Sequence, residues 1–403
     1  MTTRSGRFRR GLAVLAASAV LAIVGTLATL WLERRTELTL PEPTGSFSVG
    51  RSTYAWSDPT SLDTLSPTPQ SPRELLIWMW YPAAIGSAPA EYLPGPMRAA
   101  VEQSGGVLRF LTRDLSRVHG HSTESPDVSP QQGSYPVAIL RGGASASVVN
   151  YTTLAEDLAS HGYIVVGIDA PYRTNVVVLP DGRVMRRLPE NNPELCDGAE
   201  KLPCLNRLLN AWTSDIGFVV SRLAALNASD PSGKFAGRID MTRVGVFGHS
   251  FGGSQAAQFC HDDSRCAAGI DIDGIPLGSV IQEGMRQPFM FVFSDQIHAT
   301  DPGSRLVQAD IQSIYDRLPA DGRLRLSIRG SNHFTFSDDG ALLKSGLVRG
   351  ALRMFGVLKI DGARQLAVTA YCVRSFFDAH VKETSGPSPA KASPLYPEIE
   401  SLD

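Results

Sequence analysis

Near the middle of the chain a serine stands among glycines, in the stretch RVGVFGHSFGG (residues 243–253). Ser250 is the centre of a G-x-S-x-G pattern, Gly248 to Gly252, with an apolar strand-like run before it and the helix-forming FGGSQAAQFC after it. A sharp strand-to-helix turn pushes such a serine out of a sheet and sets backbone N–H groups of the new helix beside its hydroxyl. The hydroxyl is a weak nucleophile at neutral pH, so a histidine must take its proton and an acid must orient that histidine.

Four histidines follow Ser250: His261, His298, His333 and His380. His333 stands in RGSNHF, directly after the strand-like LRLSIRG, where a loop reaches the functional edge of a sheet, and it is the expected general base. For the acid, Asp271 and Asp273 close the run AAGIDID and Asp295 closes PFMFVFSD. Alternation puts Asp271 and Asp273 on one side of their strand, so periodicity does not separate them. Asp273 is nearer the carboxyl end, and Asp295 stays open as the alternative. An oxyanion hole needs two donors: the N–H of Phe251, next to the nucleophile, and the N–H of Ala144 in LRGGAS, where Gly142 and Gly143 allow close approach.

The elements that must position these residues alternate. YPVAILRGG, YIVVGIDAP, RVGVFGHS, AAGIDID, PFMFVFSD and LRLSIRG are short apolar runs, and helical patterns such as YTTLAEDLASHG and AWTSDIGFVVSRLAALNA lie between them. Apolar strands alternating with helices imply a mostly parallel central sheet covered by helices on both faces, with chemistry outside the strands' carboxyl ends. GSFSVGRSTYAWSD and RELLIWMWYPA read as preceding strands, and their aromatics Tyr54, Trp56, Trp78, Trp80 and Tyr81 read as packing. HGHSTESPDVSPQQGS reads as a loop, residues 172–210 are loop-rich, and the tail ETSGPSPAKASPLYPEIESLD reads as disordered.

With 38 basic and 40 acidic residues the net charge is −2 and there is no basic stripe, which argues against a nucleic-acid partner. The 37 glycines and 27 prolines show no period, which argues against collagen-like and repeat architectures. At the start, Arg4, Arg7, Arg9 and Arg10 precede 22 uncharged residues, Gly11 to Leu32. As a helix that run spans roughly 30 Å of hydrocarbon. It is longer than the apolar core of about 7–15 residues in a removable signal peptide, so it reads as an uncleaved signal anchor, with a cleaved signal peptide as the alternative. The arginines before it keep the start cytoplasmic and export the rest, either membrane-anchored outside the cytoplasm or secreted. In such a compartment Cys196 with Cys204, and Cys260 with Cys266, are spaced to close small disulfide loops, leaving Cys372 single. Neither pair has the second half of a zinc site, and the proposed chemistry calls for no metal or cofactor.

Taken together, LLIWMWYPA, YPVAILRGG, LAEDLASHGYIVVGID, RVGVFGHSFGG, AAGIDIDGIPLG and IRGSNHFTFSD resemble the platelet-activating factor acetylhydrolases of the plasma type and their bacterial relatives, within the α/β-hydrolases. The resemblance runs from about residue 46 to 382. It implies an α/β-hydrolase fold after an N-terminal hydrophobic helix, with Ser250 as nucleophile, His333 as base, Asp273 as acid, and Ala144 and Phe251 as oxyanion donors. It departs at LRGGAS, where relatives often carry a histidine-glycine pair and this chain has Arg141 and Gly142. The expected organisation is a signal anchor or signal peptide over 1–35, a tether over 36–45, a catalytic domain over 46–383 and a disordered tail over 384–403. The expected activity is serine ester hydrolysis of short-acyl esters, including platelet-activating-factor-like or oxidised phospholipids. The alternatives are a polymer or xenobiotic esterase or a peptidase on the same fold, and beyond those a non-catalytic binding protein.

Overall fold

The run Tyr135–Arg141 is buried at every position, and so is Ile164–Asp169 beside it. Their side chains split by alternation. Val137, Ile139, Ile164 and Val166 join one apolar cluster, while Ala138, Leu140 and Val165 join another on the opposite face. A strand covered on both sides has no polar face, which is why these stretches read as unbroken apolar runs. The computed structural model describes residues 3–85, 88–386, 388–390 and 393–402 of the 403.

In chain order the elements are α1 (Thr3–Arg34), β1 (Leu38–Thr39), β2 (Ser48–Leu62), β3 (Pro72–Ala83), β4 (Pro89–Glu91), α2 (Gly95–Gly105) and β5 (Val118–Glu124). Then come β6 (Tyr135–Arg141), α3 (Thr152–Ser160), β7 (Ile164–Asp169), the hairpin β8 (Val176–Val178) and β9 (Val184–Arg186), and α4 (Lys201–Ala228). The chain continues with β10 (Ile239–His249), α5 (Phe251–Asp262), β11 (Cys266–Ile272), α6 (Val280–Glu283), β12 (Phe289–Phe293) and α7 (Pro302–Tyr315). It ends with β13 (Arg323–Ile328), α8 (Gly346–Met354), α9 (Gly362–His380) and β14 (Ile399–Ser401).

The main sheet runs β1-β5-β2-β3-β7-β6-β10-β11-β12-β13-β14. From β7 through β13 every pairing is parallel; β3 enters and β14 leaves antiparallel. Helices α3 and α9 carry side chains into one core cluster, and α4, α5 and α7 into the other, so both faces are covered. This is the mostly parallel, doubly covered sheet that the alternation of elements predicts, and the α/β-hydrolase architecture that the resemblance implies. The aromatics of β2 and β3 pack as expected: Trp56, Trp78, Trp80 and Tyr81 are buried, with Trp78 and Trp80 stacked at 6.2 Å.

Helix α1 is exposed along its apolar length except at Leu30, and is, among the described residues, the one helix long and apolar enough to cross a membrane. Its C-terminal end, from Leu30 on, is seated on the domain. There Glu33 accepts the Gly346 N–H and pairs with Arg113 and Arg349. Both expected disulfides are formed, Cys196–Cys204 and Cys260–Cys266, and Cys372 is a buried free thiol.

Three local expectations differ. The stretch beginning HGHSTE is not loop but β5, held by parallel pairing to β1 and β2; most of its polar residues are exposed or only partly buried. The loop-rich reading of 172–210 ends ten residues too late, because α4 starts at Lys201. Pro203 falls in the helix's first turn, where a missing N–H costs nothing. The tail, expected to be disordered over 384–403, is ordered where it returns to the sheet. Ile399 pairs with Ile328, Arg364 forks onto Glu398, and Tyr396 packs on Tyr371. Positions 387, 391, 392 and 403 of that tail lie outside the described residues.

Candidate active site

β10 ends at His249 and α5 begins at Phe251, so Ser250 alone makes the turn, at φ 56° and ψ −126°. A non-glycine residue in this conformation is strained and persists only where its surroundings over-determine it. Here they do. The Ser250 N–H donates to Ile272 at 2.8 Å, and its carbonyl accepts from Gly253 at 2.9 Å. A Cβ on Gly248 would lie 2.3 Å from the Gly252 backbone, and one on Gly252 would lie 2.4 Å from the Arg141 carbonyl. No side chain fits at either place, which is the physical reason for the glycines flanking the serine.

His333 arrives from the loop after β13, in a short 3₁₀ turn capped by Asn332, whose side chain accepts from the backbone of that turn. Its Nε2 is 3.1 Å from Ser250 Oγ and its Nδ1 is 2.8 Å from Asp273 Oδ2. Asp273 lies one residue beyond β11 at φ 54°, with its other oxygen accepting the Ser294 N–H at 2.7 Å. Burial works to raise this carboxyl, but the hydrogen bonds from His333 and Ser294, with the two nearby imidazoles, hold it below the usual range.

The other acids are occupied elsewhere. Asp271 is fully buried under the start of α5, where one oxygen accepts the Gly274 N–H; burial pushes it up to about 8. It and Asp273 do not share a side, because the strand ends between them and alternation stops at the positive φ of Asp273. Asp295 accepts the Gly330 N–H at 2.9 Å and faces Lys359, so it braces the base of the His333 loop and does not touch the imidazole. His261 bonds the Gly284 carbonyl at the far end of α5.

The loop after β6 passes close over the nucleophile: a Cβ on Gly143 would stand 3.3 Å from Ser250 Cβ. Ala144 and Phe251 meet in one apolar cluster with Leu208, Trp212, Leu277 and the Cys196–Cys204 bridge. Trp212 sits edge-on to the Phe251 ring at 5.0 Å. Neither Ala144 nor Phe251 spends its backbone N–H on another group among the described residues. Arg141, where relatives often carry histidine, is buried. It anchors the loop by donating to Gln255 at 2.6 Å and to the Ile168 carbonyl at 2.9 Å. Two further residues meet here without a sequence signal of their own: His249, the variable position before the serine, and Tyr151, which directly precedes α3. Both are buried against the oxyanion loop, with Tyr151 Oη 2.8 Å from His249 Nδ1. No spacing rule would have singled out Tyr151; only the G-x-S-x-G pattern touches His249.

This arrangement sets a serine hydroxyl within reach of an imidazole that a carboxylate orients, beside backbone N–H groups not spent elsewhere among the described residues, a geometry able to support acyl transfer. Comparison with known proteins agrees. The family model for platelet-activating factor acetylhydrolase, isoform II, matches residues 207–383. A probable 1-alkyl-2-acetylglycerophosphocholine esterase of Arthroderma benhamiae is 27% identical, covering 90% of this chain and 94% of its own. A platelet-activating factor acetylhydrolase of Cavia porcellus is 25% identical over 77% of this chain and 73% of its own. Among solved structures, a ferulic acid esterase from Streptomyces cinnamoneus superposes with a TM-score of 0.74 at 26% identity, covering 91% of this chain and all of that one.

Proposed function

We propose that this esterase of the α/β-hydrolase fold, similar to the platelet-activating factor acetylhydrolases, works through an acyl-enzyme on Ser250. The single observation that carries the reading is the continuous relay from Ser250 Oγ through His333 to Asp273, at 3.1 and 2.8 Å. His333 Nε2 takes the hydroxyl proton as Oγ attacks the ester carbonyl. Asp273 holds the ring by Nδ1–H and stabilises the imidazolium that forms. The carbonyl oxygen becomes an oxyanion facing the N–H groups of Ala144 and Phe251, neither of which is spent on another group among the described residues. His333 then gives its proton to the leaving alcohol, the alcohol departs, and the acyl group stays on Oγ. A water activated by the same imidazole releases the acid and restores the serine.

The substrate we propose is a short-acyl ester of the platelet-activating-factor or oxidised phospholipid kind, in keeping with the named relatives. The apolar N-terminal helix and the two disulfides support a catalytic domain outside the cytoplasm, held at a membrane or secreted. The ferulic acid esterase neighbour, matched over its whole length, favours a second reading in which the same site takes aromatic or polymer-linked esters.

A graded ester panel tests the choice: p-nitrophenyl esters from acetyl to long acyl, phospholipids with short sn-2 acyl groups, and methyl ferulate. The lipid reading expects the highest kcat/KM on the short-acyl phospholipids. A clear preference for ferulate replaces it with the second reading, and no turnover of any ester, with no fluorophosphonate adduct on Ser250, removes both.

A further inference from the structure

We propose that Tyr151 is a positioning residue for the hydrolytic step, one that pins the oxyanion loop and fixes the proton arrangement of His249 beside the base. The inference rests on the reading of Ser250, His333 and Asp273 given above. Tyr151 Oη is 3.1 Å from the Gly143 nitrogen and 2.8 Å from His249 Nδ1. A backbone N–H only donates, so the phenol oxygen accepts from Gly143, and we assign the phenol's own proton to Nδ1. With Nδ1 accepting, the neutral ring carries its hydrogen on Nε2.

Two consequences reach the reaction. The first concerns the loop. Gly143 is held at both ends, its N–H by Tyr151 and its carbonyl by the Ala146 N–H at 3.2 Å. In a trans peptide the carbonyl and the following N–H point in opposite directions, so pinning the Gly143 carbonyl into the turn aims the Ala144 N–H out of it. Tyrosine, histidine and nucleophile converge here. A Cβ at Gly143 would touch Ser250 Cβ at 3.3 Å, and both His249 Nδ1 and Tyr151 Oη at 3.6 Å.

The second concerns charge. The His249 ring lies 4.6 Å from the His333 ring. When His333 takes the serine proton it becomes a cation, and a second cation beside it would oppose that transfer. His249 is buried, which pulls it down to about 3, and its Nδ1 lone pair is already occupied by the tyrosine proton. The neighbour therefore stays neutral while His333 cycles.

Tyr151→Phe keeps the ring and removes both hydrogen bonds. Its kcat on p-nitrophenyl acetate is expected to fall about 10–100-fold with KM little changed, because the Ala144 N–H, which meets only the developing oxyanion, is no longer held in aim. The inhibition constant of a trifluoromethyl ketone, which forms an oxyanion on the serine, should rise by a similar factor, while that of acetate stays put. A merely structural role would not split the two inhibitors. Wild-type kcat and wild-type ketone inhibition in a folded Tyr151→Phe protein would overturn the proposal.

Should Tyr151→Phe fail to fold, a histidine pair carries the test. His249→Asn sets an amide oxygen near the position of Nδ1 and should recover most of the rate that His249→Leu loses. Equal loss in both would overturn the proposal. The underlying reading is tested separately by Ser250→Ala. If Ser250→Ala keeps its turnover, the nucleophile assignment fails first. If it is dead while Tyr151→Phe matches wild type, the inference about Tyr151 fails alone.

Discussion

His333 Nε2 lies 3.1 Å from Ser250 Oγ although the two residues are 83 positions apart in the chain. Parallel neighbours bring this about. β10, β11, β12 and β13 run side by side, so the loop following each strand emerges at the same edge, and Ser250, Asp273 and His333 are delivered there by three of them. The relation between the two side chains is a property of the sheet.

Removing either end of that relation should abolish turnover. Ser250→Ala and His333→Ala are each expected to lower kcat for p-nitrophenyl acetate by about 10⁴-fold or more, with the circular dichroism spectrum and melting temperature near wild type. Retained activity in either folded variant would take that residue out of the mechanism.

The two candidate acids separate cleanly. Asp273→Asn leaves the shape but removes the charge that supports the imidazolium, and kcat should drop by about 10⁴-fold. Asp295→Asn keeps an oxygen to accept the Gly330 N–H, so a change of less than about tenfold is expected. Parallel kinetics on the two proteins decide it, and a greater loss in Asp295→Asn would reverse the assignment.

Asp271 makes a pH prediction of opposite sign to an ordinary paired carboxylate. Its folded value is raised, to about 8, from an unfolded value of about 3.9, mainly by burial. The stability that this group preserves by staying protonated is therefore complete below about pH 4 and is lost progressively as the pH rises toward 8. Asp338, also buried and raised to about 8, adds to the same slope. Asp271→Asn keeps the acceptor for Gly274 without a charge to bury. It should melt higher than wild type by a few degrees at pH 8, with the gap closing toward pH 4. Melting curves across that range check it; a gap that widens on acidification would refute it.

The Cys196–Cys204 bridge closes a loop of about nine residues, for which chain entropy gives about 2.5 kcal/mol. Because it packs beside Trp212 and Phe251, its loss should also loosen the wall next to the oxyanion donors. The Cys196→Ala/Cys204→Ala protein is expected to melt lower and to shift its ester preference toward longer acyl chains, read by the same graded panel. An unchanged preference would separate the bridge from the acyl wall.

Deleting residues 1–35 should move the protein from the membrane fraction to the soluble fraction without loss of p-nitrophenyl acetate turnover, since only the C-terminal end of α1, from Leu30 on, is seated on the domain. Carbonate extraction and intact mass of the full-length protein test this. A mature mass lacking the segment would show a removed signal in place of an anchor.

Much of the molecule is written locally. Strand burial follows from apolar runs, and the serine turn follows from glycines whose missing side chains leave room for Gly252 and Arg141 backbone. His333 was legible because it lies in the short loop that follows an apolar strand-like run. The errors were local as well: β5 has the composition of a loop and is a strand only because β1 and β2 pair with it, and the tail is ordered only because β13 offers it an edge.

By itself the sequence determined the alternation of strand and helix and singled out Ser250 and His333 as candidates, because periodicity and short-range sterics act within a few residues and leave their mark on neighbours. The contact of Asp273, and not Asp271 or Asp295, with His333, the bracing part of Arg141, and the meeting of Tyr151 with Gly143 and His249 are visible only in the tertiary structure. Those are contacts between segments that the chain keeps far apart. Their geometry depends on where a strand stops and which loop crosses it, and neither is carried by the identity of any one residue.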